Sequence, residues 1–307
     1  MRKNIEFKSK GVTCRGWFYT PDKGKGPFPT IVHASGWAYV KEMVMPQYAE
    51  SFAKVGVASL VFDYRTLGAS DGEPRQHIDL FAQIEDVKNG ISFVQTLPEV
   101  DPERVGVWGI SYGGGHVLIV GATDPRVKCI LSIVPAVDGY EMMQRNHGTE
   151  GMRRMRKAII EDRKKRFETG VGGYIPMCAV DHWKTLCAWP FGKNYEVFME
   201  IKKTIAPAHE HRNTIESMET VMSYNVFPFL YRILDIPTLM VVAPEDDHCW
   251  WDWEIKAFNQ IPSPYKKLVI LPRDVTHMSL YVEKTEFEMI AKACTDWLVE
   301  YLVKPYE

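Results

Sequence analysis

Ser111 stands between glycines 109 and 113 in the run Val105-Gly-Val-Trp-Gly-Ile-Ser-Tyr-Gly-Gly-Gly-His116. A serine hydroxyl is a weak nucleophile at neutral pH, so the pattern does chemistry only if a base takes its proton and an acid orients that base. Both types follow in the chain. Pro244-Glu245-Asp246-Asp247 offers carboxylates, and Pro272-Arg273-Asp274-Val275-Thr276-His277 offers an imidazole. A serine, a carboxylate and a histidine in that order can open an ester, lactone or thioester through an acyl-enzyme. The glycines have a steric reason: a turn tight enough to raise the hydroxyl above a strand end leaves no room for larger side chains beside the flanking strand and helix.

Such groups work only if the fold brings their loops together. Short β-branched runs at residues 13–19, 30–34, 57–62, 105–110, 127–134, 238–243 and 267–271 read as strands. Between them lie helical patterns, with Ile84, Val87, Ile91 and Val94 on one face and Phe287, Ile290, Cys294, Trp297 and Tyr301 on another. This alternation predicts an α/β fold with a mostly parallel sheet and helices on both of its faces. Residues 57–62 and 105–110 are almost continuously apolar, as strands buried on both sides are. The Ser111 turn follows one strand and precedes a helix at 114–122, whose N-terminal dipole points at the hydroxyl. The loops of Asp246 and His277 each follow a strand, and strand C-terminal ends are where such a sheet assembles a site.

The strand–helix rhythm stops for roughly a hundred residues between Val134 and Ile236, too long for a structureless loop. The expectation is a core of residues 1–137 and 235–307 with a helical cap inserted at 138–234. Residues 141–170 hold nine Lys/Arg against five Asp/Glu, which reads first as a solvated helix face and second as a docking patch for an acidic carrier or a phosphate-bearing thioester. Trp183, Trp189, Phe191 and Trp250 are candidates for an acyl-binding wall, favouring a small-to-medium apolar or ring-bearing substrate; buried aromatics are more often plain core.

Other features point to fewer roles. His116 follows the turn inside a helix and reads as a packed core residue. His209 and His211 are two apart, so on a helix they face different ways and cannot share a metal. The six cysteines lack zinc or C-x-x-C spacing and read as reduced, mostly buried thiols. No metal and no cofactor is expected. A net charge of −2 gives no global field toward nucleic acid or anionic lipid. The charged first ten residues lack a signal-peptide core and no run approaches a membrane span, so a cytoplasmic location is expected, with no nucleic-acid or membrane partner.

Taken together, Arg15-Gly-Trp-Phe-Tyr-Thr-Pro21, Phe62-Asp-Tyr-Arg-Thr-Leu-Gly-Ala-Ser-Asp-Gly72, the Ser111 turn, Pro244–Asp247 and the His277 loop resemble the α/β-hydrolase superfamily. The chain is most similar to its dienelactone-hydrolase and X-prolyl-peptidase-like branch, which includes fungal polyketide transferases. The resemblance covers roughly residues 2–137 and 235–302. It implies the α/β-hydrolase fold, an eight-stranded sheet, and a catalytic triad of Ser111, Asp246 and His277. Ala243-Pro-Glu-Asp246 aligns with the family's Gly-x-x-Asp, and a slip of one residue would exchange Asp246 for Asp247. The resemblance also implies an oxyanion hole from the backbone amides of Tyr112 and Trp37, with Ser35-Gly36-Trp37 where the family usually reads His-Gly. Asp63 and Arg65 would be a packing pair below the active-site loops. The expected activity is serine-dependent hydrolysis of a small-molecule acyl substrate, with acyl transfer by the same triad as the alternative and an acyl-carrier protein or CoA thioester as donor. The superfamily also includes ligand-binding proteins and non-hydrolytic enzymes, against which an intact triad argues. Family habit suggests a homodimer.

Overall fold

The computed structural model describes residues 1–304. Six strands come first, β1 (Arg2–Ser9), β2 (Val12–Tyr19), β3 (Phe28–Ala34), β4 (Ala58–Phe62), β5 (Val100–Ile110) and β6 (Val127–Ile133), with helices α1 (Met45–Lys54), α2 (Leu80–Val94) and α3 (Tyr112–Thr123) between the later ones. A second run follows: α4 (Gly139–Thr169), β7 (Tyr174–Pro176), α5 (Gly192–Thr204), β8 (Arg212–Thr214), α6 (Glu216–Ser223) and α7 (Phe227–Leu230). The chain closes with β9 (Thr238–Val242), α8 (Trp251–Gln260), β10 (Lys266–Ile270) and α9 (Lys284–Leu298). The main sheet has eight strands in the order β1-β2-β4-β3-β5-β6-β9-β10, antiparallel at β1, β2 and β4 and parallel from β4 onward. Among the described residues no helix is long and apolar enough to cross a membrane.

Seven of these strands match the apolar runs. The eighth, β1, escapes that pattern because it is an edge strand whose residues, RKNIEFKS, are largely charged and exposed. β4 is buried at every position, so both sides of the sheet are covered there. α1 packs against α9 and α2 against α3. Asp79 caps α2 by accepting from the amides of Phe81 and Ala82 at 2.9 and 3.1 Å.

Strand register decides where loops end. Ala34 pairs with Gly109, Gly109 with Ser132, Ile133 with Val241, and Val242 with Ile270. The C-terminal ends of β3, β5, β6, β9 and β10 are therefore level, and the loops leaving them share one rim. The rim lies where the order reverses around β3, the usual position for a site in an open parallel sheet.

One expected pairing is different. Asp63 and Arg65 do not bind each other: Asp63 meets the Lys41 ammonium at 2.9 Å and the Lys41 and Ala69 amides at 2.6 and 2.9 Å, while Arg65 binds Asp86. The extended chain of β4 ends at Phe62 and Arg65 already lies in a turn, so the two side chains leave in different directions and each takes a separate partner. Asp63 is fully buried and ties the loop after β3 to the loop after β4.

The segment between β6 and β9 is anchored by charge. Arg145 makes a two-pronged pair with Asp252, and Arg166 gathers Asp162, Glu216 and Glu219. Much of the positive charge in 141–170 thus binds its own surroundings, whereas Arg153, Lys157 and Lys164 stay largely exposed.

Burial makes stability acid-sensitive. His33 and His116 are enclosed, and loss of hydration pushes both down to about 3. Their folded-state values lie below the ordinary histidine value, so the unfolded chain binds more protons between the two. Their contribution is complete above about pH 6.5 and is lost as pH falls toward 3. Together they should remove roughly 4 kcal/mol of unfolding free energy between pH 7 and pH 5. Urea titrations at both pH values check this, and equal stabilities would contradict it.

Candidate active site

Ser111 occupies the turn between β5 and α3 at φ 60°, ψ −122°, a conformation that costs a non-glycine residue about 1–3 kcal/mol. The surroundings hold it there. Its N–H donates to the Ile133 carbonyl at 2.9 Å, and its own carbonyl accepts from the Gly115 and Ala136 amides at 3.2 and 3.0 Å. A Cβ on residue 109 would lie 2.1 Å from the Gly113 oxygen, and one on residue 113 would lie 2.0 Å from the Ala34 oxygen. Only glycine fits at either place, which is the steric reason anticipated for the Gly-x-Ser-x-Gly pattern.

The two later loops meet beside it. His277 Nδ1 donates to Asp246 Oδ2 at 2.7 Å, and Asp246 Oδ1 accepts from the His248 and Cys249 amides, both at 2.8 Å. A bridge between Glu245 and Thr276 holds the loops parallel. Burial alone would raise the Asp246 carboxyl. The charge and hydrogen bond of His277, with His248 and the Cys249 amide, outweigh it and hold the group below the usual carboxylate range. Asp246 is therefore the aspartate joined to His277, while Asp247 turns to the neighbouring His248 Nδ1 at 2.6 Å. The Tyr281 hydroxyl donates to His277 Nε2 at 3.2 Å. Ser111 and His277 line the same cavity, of about 30 Å³. Cys249 lines the same cavity, and burial pushes its thiol well above its ordinary value and keeps it protonated.

Tyr112 opens α3, so its amide is among the N–H groups with no partner inside the helix. Trp37 lies in the loop after β3, with its ring 5.3 Å from that of Tyr112. Both line the cavity, as does Trp189, which stands edge-on to Trp37 at 5.4 Å. The other aromatic candidates sit elsewhere. Trp183 is 79% exposed, and its carbonyl accepts from Arg154 on the outer surface, so it does not line the cavity that holds Ser111. Trp250 donates from its indole to Asn146 Oδ1 at 2.7 Å and reaches the site only through Asn146, which does line the cavity. Phe191 lines an outer groove of about 550 Å³ next to the cavity.

Asn194, His248, Met278 and Cys249 also line the cavity and carried no signal of spacing or type in the sequence, although His248 and Cys249 directly follow the Asp246-Asp247 pair. Glu254 is fully buried beside Asp246, and burial with the charge of Asp246 raises its carboxyl well above the ordinary range. It therefore holds its proton. Ligand atoms of Asp246, His248 and His277, and of Asp246, Cys249 and Glu254, lie within 4.8 Å of one another, and these are the groups that could gather round a cation. His116 is buried between Tyr224 and Gln83 at 3.0 Å each, and His209 Nδ1 donates to the Ala38 carbonyl at 3.1 Å.

Comparison with known proteins gives a consistent pattern. The family model for X-Pro dipeptidyl-peptidase (S15 family) matches residues 11–158. A thiohydrolase of Eupenicillium brefeldianum is 28% identical over 95% of this chain and 92% of its own length. The polyketide transferase ATR5 of Stachybotrys chlorohalonatus is 29% identical over 91% of this chain and 90% of its own. The solved structure of DcsB with its substrate analogue superposes with a TM-score of 0.84 at 25% identity, over 98% of this chain and 99% of that one.

Two variants separate the aspartates. Asp246→Asn should lower kcat on an activated ester by roughly 10⁴-fold with little change in KM, because the amide can hold the imidazole in the wrong tautomer. Asp247→Asn should cost much less, and equal losses would contradict the assignment. In steady-state assays on nitrophenyl esters of graded length, Trp189→Ala should move the preferred acyl chain toward longer members; an unchanged preference would show that Trp189 does not wall the acyl site.

Proposed function

Because the chain belongs to the α/β-hydrolase superfamily, in the dienelactone-hydrolase and X-prolyl-peptidase-like branch that includes fungal polyketide transferases, we propose that it is a serine hydrolase cleaving an ester, lactone or thioester through an acyl-enzyme. The observation that carries this reading is the Asp246–His277 pair sharing one cavity with Ser111 on its strained turn.

The chemistry follows from the geometry. Asp246 accepts from His277 Nδ1–H, which leaves the Nε2 lone pair as the base. Substrate entry displaces the Tyr281 hydroxyl from Nε2 and turns the Ser111 hydroxyl toward it. Serine oxygen attacks the acyl carbon as its proton passes to Nε2, and the Tyr112 and Trp37 amides meet the developing oxyanion. The imidazolium then protonates the leaving group, and a second nucleophile resolves the ester under the same base. The positive end of α3 supports each negative intermediate.

Relatives named thiohydrolase and polyketide transferase favour a thioester donor, with acyl transfer as the second reading. The walls of Trp37, Tyr112 and Trp189 suit an apolar or ring-bearing acyl group. A CoA or acyl-carrier donor fits the exposed Arg153, Lys157 and Lys164 on α4. Six buried, unpaired cysteines suit the reducing cytoplasm.

An alkyl fluorophosphonate should label the folded protein once, as read by mass spectrometry, and the label should vanish in Ser111→Ala. Absence of labelling in the wild-type protein would overturn the acyl-enzyme reading.

A further inference from the structure

His248 repeats the arrangement of the catalytic histidine. Its Nδ1 is bonded to Asp247 at 2.6 Å as that of His277 is to Asp246 at 2.7 Å, and the two aspartates are consecutive. The two imidazoles stack with centroids 4.7 Å apart and planes 15° from parallel, and Phe191 covers the far face of His248 at 4.0 Å. Both Nδ1 atoms are turned to the 246–247 loop, so both Nε2 atoms are turned away from it. There the Tyr281 hydroxyl meets one and the Asn194 side-chain amide donates to the other. Both rings line the cavity that Ser111 lines.

We propose that His248 is a second catalytic histidine, used only in resolving the acyl-enzyme: its Nε2 accepts one hydrogen of the incoming nucleophile while His277 Nε2 accepts the other. The proposal deepens the acyl-enzyme reading of Ser111 and rests on it. Three observations support it. First, a water molecule donating to two nitrogens at about 2.9 Å each spans roughly 4.6 Å, and the two rings stack with centroids 4.7 Å apart and their Nδ1 atoms both turned to the 246–247 loop, which puts their Nε2 edges side by side at a similar spacing. Second, the cavity of about 30 Å³ accommodates a water-sized nucleophile. Third, burial and the facing His277 keep His248 below its ordinary value despite Asp247, so its Nε2 stays a lone pair.

The step balances. Water oxygen bonds the acyl carbon and gives one proton to His277 Nε2. Its other hydrogen, held by His248, stays on the product acid. The bond from carbon to Ser111 Oγ breaks, and His277 returns its proton to that oxygen. An alcohol has one O–H and cannot engage both rings, whereas water and a primary amine can. The Asn194 amide competes for the same lone pair, so the nucleophile replaces one donor with another.

The opposed roles of His248 and Asn194 give the test. p-Nitrophenyl butyrate in aqueous methanol yields butyrate by hydrolysis and methyl butyrate by transfer, measured by chromatography. His248→Phe keeps the stack but removes the acceptor, and should raise the methyl ester to acid ratio about tenfold or more, the rate equivalent of one lost hydrogen bond. Asn194→Ala frees the lone pair and should lower the ratio. His248→Gln retains an acceptor and should keep the ratio near wild type. A purely structural role would slow both products together and leave the ratio unchanged. Ratios that do not move, or that move the same way in His248→Phe and Asn194→Ala, overturn the proposal; should His248→Phe not fold, Asn194→Ala and His248→Gln decide. Wild-type protein that labels with fluorophosphonate yet shows no such shift refutes this inference alone. Protein that does not label refutes both it and the reading beneath it.

Discussion

The site depends on how closely the backbone at 109–113 approaches its neighbours. With Gly109 against the start of α3 and Gly113 against the end of β3, the chain reverses within a few residues and leaves Ser111 at positive φ. Any Cβ at either glycine would sit inside a carbonyl oxygen, so the turn opens if either is replaced. The hydroxyl position, the direction of α3 and the exposure of the Tyr112 amide all follow from that contact. Register does the rest. Because β3, β5, β6, β9 and β10 end level, the loops carrying Trp37, Ser111, Asp246 and His277 open on one rim.

The electrostatics of the rim keep the base usable. Asp246 and Glu254 are both buried and close together, and two carboxylates there would repel strongly. The structure resolves this by ionising one. Asp246 is held charged by His277 and two amides, while Glu254 has no hydrogen-bond partner among the described residues and remains neutral. Cys249 likewise stays a thiol beside Ser111, so it does not compete as a nucleophile. A single carboxylate then faces His277 directly, and the imidazolium formed during acylation meets its countercharge without a change in its surroundings.

The parts of the molecule differ in how plainly the sequence announces them. Central strands such as β4 carried nearly continuous apolar runs because both sides of them are covered, and β10, at the other edge and partly exposed, still kept the short apolar run Leu268–Ile270. β1 did not, because an edge strand protects itself with charge. The aromatic residues show the opposite difficulty. Trp183, Trp189 and Trp250 look alike in sequence, yet one is exposed, one walls the cavity and one holds Asn146. Indole suits all three settings, and only packing against particular neighbours distinguishes them. Asp63 and Arg65 were similarly indistinguishable from a pair until their separate partners appeared.

Local chemistry along the chain determined the strand–turn–helix at Ser111, since glycine spacing and apolar runs act through contacts a few residues long, and the order of serine, carboxylate and histidine marked the reaction class. Tertiary structure alone decided which aspartate reaches which imidazole. Asp246 and Asp247 are adjacent and chemically identical, and the choice is made by the direction in which the β9 loop turns over the β10 loop, a relation between segments about thirty residues apart. The stacking of His248 on His277 belongs to that same contact, and no spacing within either loop encodes it.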